Sequence, residues 1–238
     1  SNKVFLYNDI VDTLLSPHLT SSLQLLSLDG NHDIDIQKLF ENSGSIQKLS
    51  LKNCGLEITY VFEALASIRT SIDSIDLSGN SCNNKDIDKA LTSLPNPLLR
   101  IDVNNVTWSD DCLVNFLRGI VKIYELEEDE IEEEEEDKSD DNTSPSNLKD
   151  TYLNSEENVN SGLNSILVTL SMSNIQTSKS EWQNVRTFFE DNRKKLTIEQ
   201  FSYNGNKISS HFIIFLRTMK KLKRLFLNNC PNFSQYSS

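Results

Sequence analysis

Residues 72–80 read Ile-Asp-Ser-Ile-Asp-Leu-Ser-Gly-Asn, apolar at the first, fourth and sixth positions and closed by Gly79-Asn80. The same nine-residue window returns at 23–31 (LQLLSLDGN), 46–54 (IQKLSLKNC), 98–106 (LLRIDVNNV), 167–175 (LVTLSMSNI), 198–206 (IEQFSYNGN) and 222–230 (LKRLFLNNC). Val4, Leu6 and Asp9 read as a clipped further copy. Successive windows are offset by 23, 26, 26, 69, 31 and 24 residues. Periods in the twenties mark chains built from stacked units, and one step here is far too long. A second column supports the register independently of the leucines: the eighth position holds Gly30, Asn53, Gly79, Asn105, Asn174, Gly205 and Asn229. Gly and Asn adopt positive φ most readily, and together they make up about one residue in seven of this chain. A tight turn is therefore expected at the same place after every window.

Within the window the apolar alternation predicts a short strand. Ile75 and Leu77 point into a core, while Ser74, Asp76 and Ser78 point out. The closing residue (Asn31, Cys54, Asn80, Asn206, Cys230) is expected to turn inward and satisfy loop backbone groups that no strand reaches. Cys54 and Cys230 are thus read as structural. Val106 and Ile175 lack that chemistry and flank the long step, which predicts an interrupted ladder there. Helical spacing follows the strands: Val61, Phe62, Leu65, Ile68; Ile87, Leu91, Leu94; Leu113, Phe116, Leu117, Ile120; and Phe212, Phe215, Leu216, Met219. Ser180-Glu181-Trp182-Gln183 reads as a capping box ahead of Val185, Phe188 and Phe189.

No such unit buries its apolar face alone, so the units are expected to stack. The windows resemble the leucine-rich-repeat motif LxxLxLxxN/C over nearly the whole chain. That resemblance implies an α/β solenoid, a curved horseshoe fragment with a parallel concave sheet and convex helices, forming a single domain over 1–238. Helices of about ten residues in each unit resemble the ribonuclease-inhibitor-like branch. The chain begins inside a unit and stops just after the NNCPNF of another, and is expected to be a piece of a longer protein.

The net charge of −12 is one local object, because residues 125–141 (ELEEDEIEEEEEDKSDD) hold thirteen acids and one lysine. Like charges three and four apart each oppose a helix by about 0.2–0.5 kcal/mol. Residues 125–161, acidic and then Ser/Asn-rich, are expected to form a disordered loop inserted between units. It is either a passive tether or an electrostatic arm for a basic partner, and Lys220, Lys221, Lys223 and Arg224 are a candidate within the chain. Acidic charge speaks against nucleic acid, since a phosphate backbone needs a basic groove.

Chemistry-bearing motifs are absent. The four cysteines form no CxxC, the three histidines (His18, His32, His211) form no metal-ligand spacing, and the glycines form no phosphate loop. Disulfides, metals and cofactors are therefore not expected. Ser or Cys, His and an acid do not converge in this register, so no catalytic residue is assigned and the chain is read as no enzyme. No apolar run approaches membrane-span length, and any membrane contact is expected only from regions outside this sequence. What the register does offer is an outward sheet face, whose candidate partner-binding residues are Lys48, Lys52, Asp76, Arg100, Asp102, Asn104 and the aromatic Phe226.

Among relatives within that branch, LSLDGN, IDLSGN, LSMSNI and the Gly119-Ile120-Val121 helix end running into acids are similar to the CARMIL family of cytoskeletal regulators. This resemblance implies a cytoplasmic, cytoskeleton-associated scaffold for protein partners and regulation of actin capping. GTPase activators for Ran and acidic histone-binding leucine-rich-repeat proteins are the alternatives. In both, the acids follow the solenoid, whereas here they interrupt it.

Overall fold

The computed structural model of the chain describes residues 23–41, 44–68, 72–124, 166–175, 178–192 and 196–231. The proposed insertion at 125–161, His18 and the clipped first copy lie outside the described residues. Seven strands form one open sheet in chain order: β1 (Leu25–Ser27), β2 (Lys48–Ser50), β3 (Ser74–Asp76), β5 (Arg100–Asp102), β7 (Leu167–Ser171), β8 (Ile198–Ser202) and β9 (Arg224–Phe226). Every pairing is parallel. Helices α1 (Ile36–Glu41), α2 (Ile58–Ala66), α3 (Ile87–Thr92), α4 (Cys112–Tyr124), α5 (Lys179–Asn192) and α6 (Ser210–Leu216) stand between the strands and pack on one another in the same order.

The register aligns the nine-residue windows without a slip. Leu26, Leu49, Ile75, Ile101, Leu170, Phe201 and Leu225 occupy one row, and all but Leu225 are buried. Leu225 sits on β9, the last strand among the described residues, and is 40% exposed. These residues merge with Val61, Phe62, Leu91, Phe116, Phe212 and Phe215 of the helices into one apolar core.

All seven eighth-position residues have positive φ, from 51° at Asn174 to 74° at Gly79. A Cβ at Gly79 would collide with the side chain of Asn53, and one at Gly205 with that of Asn174. The glycines are thus required twice, by backbone angle and by the amide of the preceding turn. Gly79→Ala is expected to cost about 1–3 kcal/mol, read as a lower urea midpoint.

Two expectations are corrected. The helices are uneven, from six residues in α1 and α3 to fourteen in α5, and Ile68, Leu94 and Met219 lie beyond helix ends although they pack against or within the core. The cap of α5 is Ser178, two residues before the expected one: its Oγ accepts from the Glu181 backbone N–H at 3.2 Å. The inward ladder does lapse at Val106 and Ile175, as expected, but the sheet runs on beside them: β5 pairs directly with β7, Arg100 opposite Thr169 and Asp102 opposite Ser171. Where Val106 cannot bridge, the backbone does: β4 (Ser81–Cys82) and β6 (Thr107–Trp108) form a separate parallel pair, with the Thr107 and Ser109 N–H groups donating to Asn80 and Cys82 carbonyls. Val106 and Trp108 are buried on either side of exposed Thr107, a strand alternation legible in hindsight.

Candidate partner-binding face

Two polar ladders hold the units in register and define the outward face. On the inner side, Asn80 Oδ1 accepts from the backbone N–H groups of Cys54 (3.1 Å) and Leu56 (3.0 Å). Its amide donates to the carbonyls of Leu51 and Leu77, both at 2.8 Å. Asn206 repeats the arrangement on Ile175, Met172 and Tyr203. Cys54 Sγ donates to the Leu28 carbonyl at 3.3 Å and Cys230 Sγ to that of Tyr203 at 3.4 Å, so thiols stand in for the amide as donors. Burial pushes the Cys54 thiol up, away from the reactive thiolate. Cys82 and Cys112, distant in sequence, come into thiol contact in the core, and burial raises both.

The outer ladder was not anticipated. At the seventh window position a short side chain accepts the backbone N–H of its counterpart on the next strand: Asp29 from Lys52, Ser78 from Asn104, Asn104 from Ser173, Ser173 from Asn204, and Asn204 from Asn228. The signal was present, since that column reads Asp, Lys, Ser, Asn, Ser, Asn, Asn, nearly all short side chains with an acceptor oxygen. Lys52 alone has no acceptor, and there the Ser78 N–H turns to Asp76 Oδ1 at 3.0 Å.

These bonds redistribute the seven candidate residues. Asn104 is half-buried, and its Oδ1 accepts from Ser171 Oγ and the Ser173 N–H, both at 2.7 Å. Asp102, expected on the surface, is only 4% exposed and lies beneath Arg100, whose Nε donates to Asp102 Oδ2 at 2.7 Å. Ser78, also expected to point out, is buried, as are Thr169, Ser171 and Ser173 at the third, fifth and seventh positions of their window. Lys52 bridges Asp29 (3.2 Å) and Asp76 (3.8 Å). Lys48, Asp76, Arg100 and Asp102 come together with Leu25 and Ser74 around a groove of about 250 Å3. Phe226 stands apart on the last strand, 38% exposed.

Burial raises the Asp102 carboxyl above the usual carboxylate range, and Asp76 adds to this against the opposing pull of Arg100. Its Oδ1 is buried without a hydrogen-bond partner. A carboxyl whose pKa is raised by folding contributes stability that is complete below its unfolded pKa and is lost as pH rises through the folded value. Asp102→Asn, which keeps an acceptor for Arg100, is therefore expected to raise stability at pH 7. The gain should vanish below about pH 3, where both states of the native carboxyl are protonated. Denaturant midpoints of both proteins across that range check the sign. For Asp29, burial works upward, but hydrogen bonds from Ser50 and Lys52 outweigh it and hold the group low.

A second concavity of about 510 Å3 lies between α4 and α5, bordered by Lys85, Asp111, Asn115, Arg118, Asn184 and Phe188. Its charges are already engaged, Lys85 with Asp111 at 2.7 Å and Arg118 with Asn115 and over the Phe188 ring. The α4 N-terminus above it is capped from the next unit. Glu181, 3% exposed on α5, accepts from the Asp111 N–H at 2.8 Å and the Val114 N–H at 3.0 Å. Among the described residues no group of three or more His, Cys, Asp or Glu side chains is arranged to hold a metal, and no helix is long and apolar enough to cross a membrane. No family model matches this chain, and no curated protein matches it either.

Proposed function

We propose that the chain is a leucine-rich-repeat solenoid of the ribonuclease-inhibitor-like type, forming one domain over 1–238. It acts as a non-catalytic scaffold that seats a protein partner on the outward face of its sheet. The observation that carries this reading is the register. Seven parallel strands align their third- and fifth-position side chains in two registered rows on the outward side, where Leu25, Lys48, Ser74, Asp76, Arg100 and Phe226 stay accessible while Asp102, Thr169 and Ser171 are buried among them. Extended surfaces of this kind suit proteins better than small molecules. The CARMIL-like phrases extend the proposal to a cytoplasmic, cytoskeleton-associated regulator of actin capping.

The test is affinity capture with the wild-type chain and with a chain carrying Arg100→Glu and Phe226→Ser, followed by binding of each captured protein in purified form. A purified partner that binds the wild type and loses at least tenfold affinity for the double variant supports the proposal. Equal binding to both chains removes the face from it. The scaffold reading also predicts no acceleration of GTP hydrolysis across a panel of small GTPases. Arg100 is committed to Asp102 through Nε, and a stimulated rate lost in Arg100→Ala would make the chain a GTPase activator instead.

A further inference from the structure

We propose that the row Lys48, Ser74 and Arg100 receives an acidic segment of the protein partner, its carboxylates seated on the two cations and an aliphatic side chain beside them on Leu25. This rests on the reading that the outward sheet face binds protein, and names the chemistry of what it binds. The three residues stand opposite one another on β2, β3 and β5, with Leu25 next in the same row on β1. All four border one groove.

By formal charge the surroundings are neutral, but the surface a partner meets is not. In each ion pair of this face the cation lies outermost. The Arg100 side chain is 52% exposed against 5% for Asp102, and that of Lys52 is 43% exposed against 33% for Asp29 and 24% for Asp76. The acids are also occupied, Asp76 by the Ser78 N–H and Lys52, Asp29 by Ser50 and Lys52, and the free Asp102 oxygen is buried away from solvent. The cations, by contrast, have donors to spare. Lys48 is exposed and has no ion-pair partner among the described residues. Arg100 spends only Nε, leaving both terminal amino groups, and the Ser74 hydroxyl between them has no partner among the described residues either.

The spacing selects the ligand. Lys48 and Arg100 lie two strand intervals apart, about 9.5 Å. A compact phosphate dianion needs cations that converge on it, whereas separated cations each take one monoanionic carboxylate. Leu25, 59% exposed, supplies an apolar contact at the end of the row, which favours a peptide over a free anion. Salt bridges on so open a face are individually weak, so the contribution is to partner choice and association rate.

The experiment titrates the full-length, 15N-labelled chain with N-acetyl-hexaglutamate amide at low salt and follows the backbone amide signals of residues 25, 48, 74 and 100. Saturable shifts confined to this row are expected. They should weaken at least tenfold in Lys48→Glu, a substitution that breaks no side-chain hydrogen bond or ion pair among the described residues, with signals elsewhere unchanged, and should fade at 0.5 M salt. Shifts that survive in Lys48→Glu, an equal response to hexalysine, or tighter binding of inorganic phosphate would overturn the assignment. Signals of the row that move with salt but not with hexaglutamate would mean that an acid of this same chain already occupies it, which overturns the partner. Failure here alongside face-dependent partner capture would sink only the acid preference, not the proposed function.

Discussion

Asn80→Ala is expected to lower the free energy of unfolding by about 3–5 kcal/mol, a large share of what a domain of this size possesses. The side chain is 5% exposed and makes four hydrogen bonds, two accepted from Cys54 and Leu56 and two donated to Leu51 and Leu77. Each partner is a backbone group in a turn, where no strand can take it over. Truncation leaves the Cys54, Leu51 and Leu77 groups buried and unpaired, loosens the half-buried Leu56 N–H, and adds a cavity. The chemistry of the loss can be dissected. Asn80→Cys keeps a donor, as Cys54 does in the preceding window, but no comparable acceptor, so it should fall between wild type and alanine. Asn80→Asp keeps the acceptor but sets a carboxylate oxygen against two carbonyls, and should be at least as damaging as alanine at pH 7. Urea unfolding of the four proteins reads the order directly; a cost below about 1 kcal/mol for alanine would mean that the ladder is incidental to stability.

Glu181→Ala is expected to cost about 2–4 kcal/mol and to act locally. Its carboxylate is the cap of a helix it does not belong to. It lies on α5 and satisfies the Asp111 and Val114 N–H groups at the start of α4, where the helix dipole also favours negative charge. The junction between β5 and β7 needs such a link, because Val106 and Ile175 replace the inward amide on both sides of it. Asn104 reaching to Ser171 and Ser173, the Thr197 Oγ1 and N–H donating to the Tyr124 carbonyl, and Asn184 Nδ2 donating to Asp111 Oδ1 are further polar ties there, beside the backbone bonds of the sheet. Hydrogen exchange should therefore speed up at residues 111–114 and along β5 and β7 in the variant, more than in β2 or β3. Glu190→Gln on the same helix, which removes the charge from the exposed pair with Arg186, should change stability and exchange far less. Equal effects of the two substitutions would refute the capping role.

The strands and turns were legible because two independent columns agreed. The leucine spacing set the strand faces, and the Gly/Asn column set the turns through backbone sterics alone. The helices were less legible, because apolar spacing continues past a helix end wherever the following turn still packs on the core, as at Ile68 and Leu94. The capping box slipped by two residues because Ser178 and Ser180 both lie in a sequence able to cap, and hydrogen bonding decides between them. Asp102 and Asn104 were expected on the outward face, yet Asp102 is buried there and Asn104 half-buried. Their availability could not be read from alternation, since that depends on what the adjacent strand and Arg100 lay over them. The outer ladder lay in plain view as a column of short polar residues, but outward polar positions look solvated until the neighbouring backbone N–H is placed beside them.

The central claim is that the windows before and after residues 125–165 form one sheet in unbroken register. Pulsed electron resonance between spin labels at positions 48 and 200, with Cys230 replaced by serine, tests it across that junction. Four strand intervals of about 4.8 Å place the two backbones about 19 Å apart, so a single narrow distribution centred near that value, widened by the label linkers, is predicted. A distance beyond about 35 Å, or two separate populations, would mean that the two sets of strands do not share a sheet.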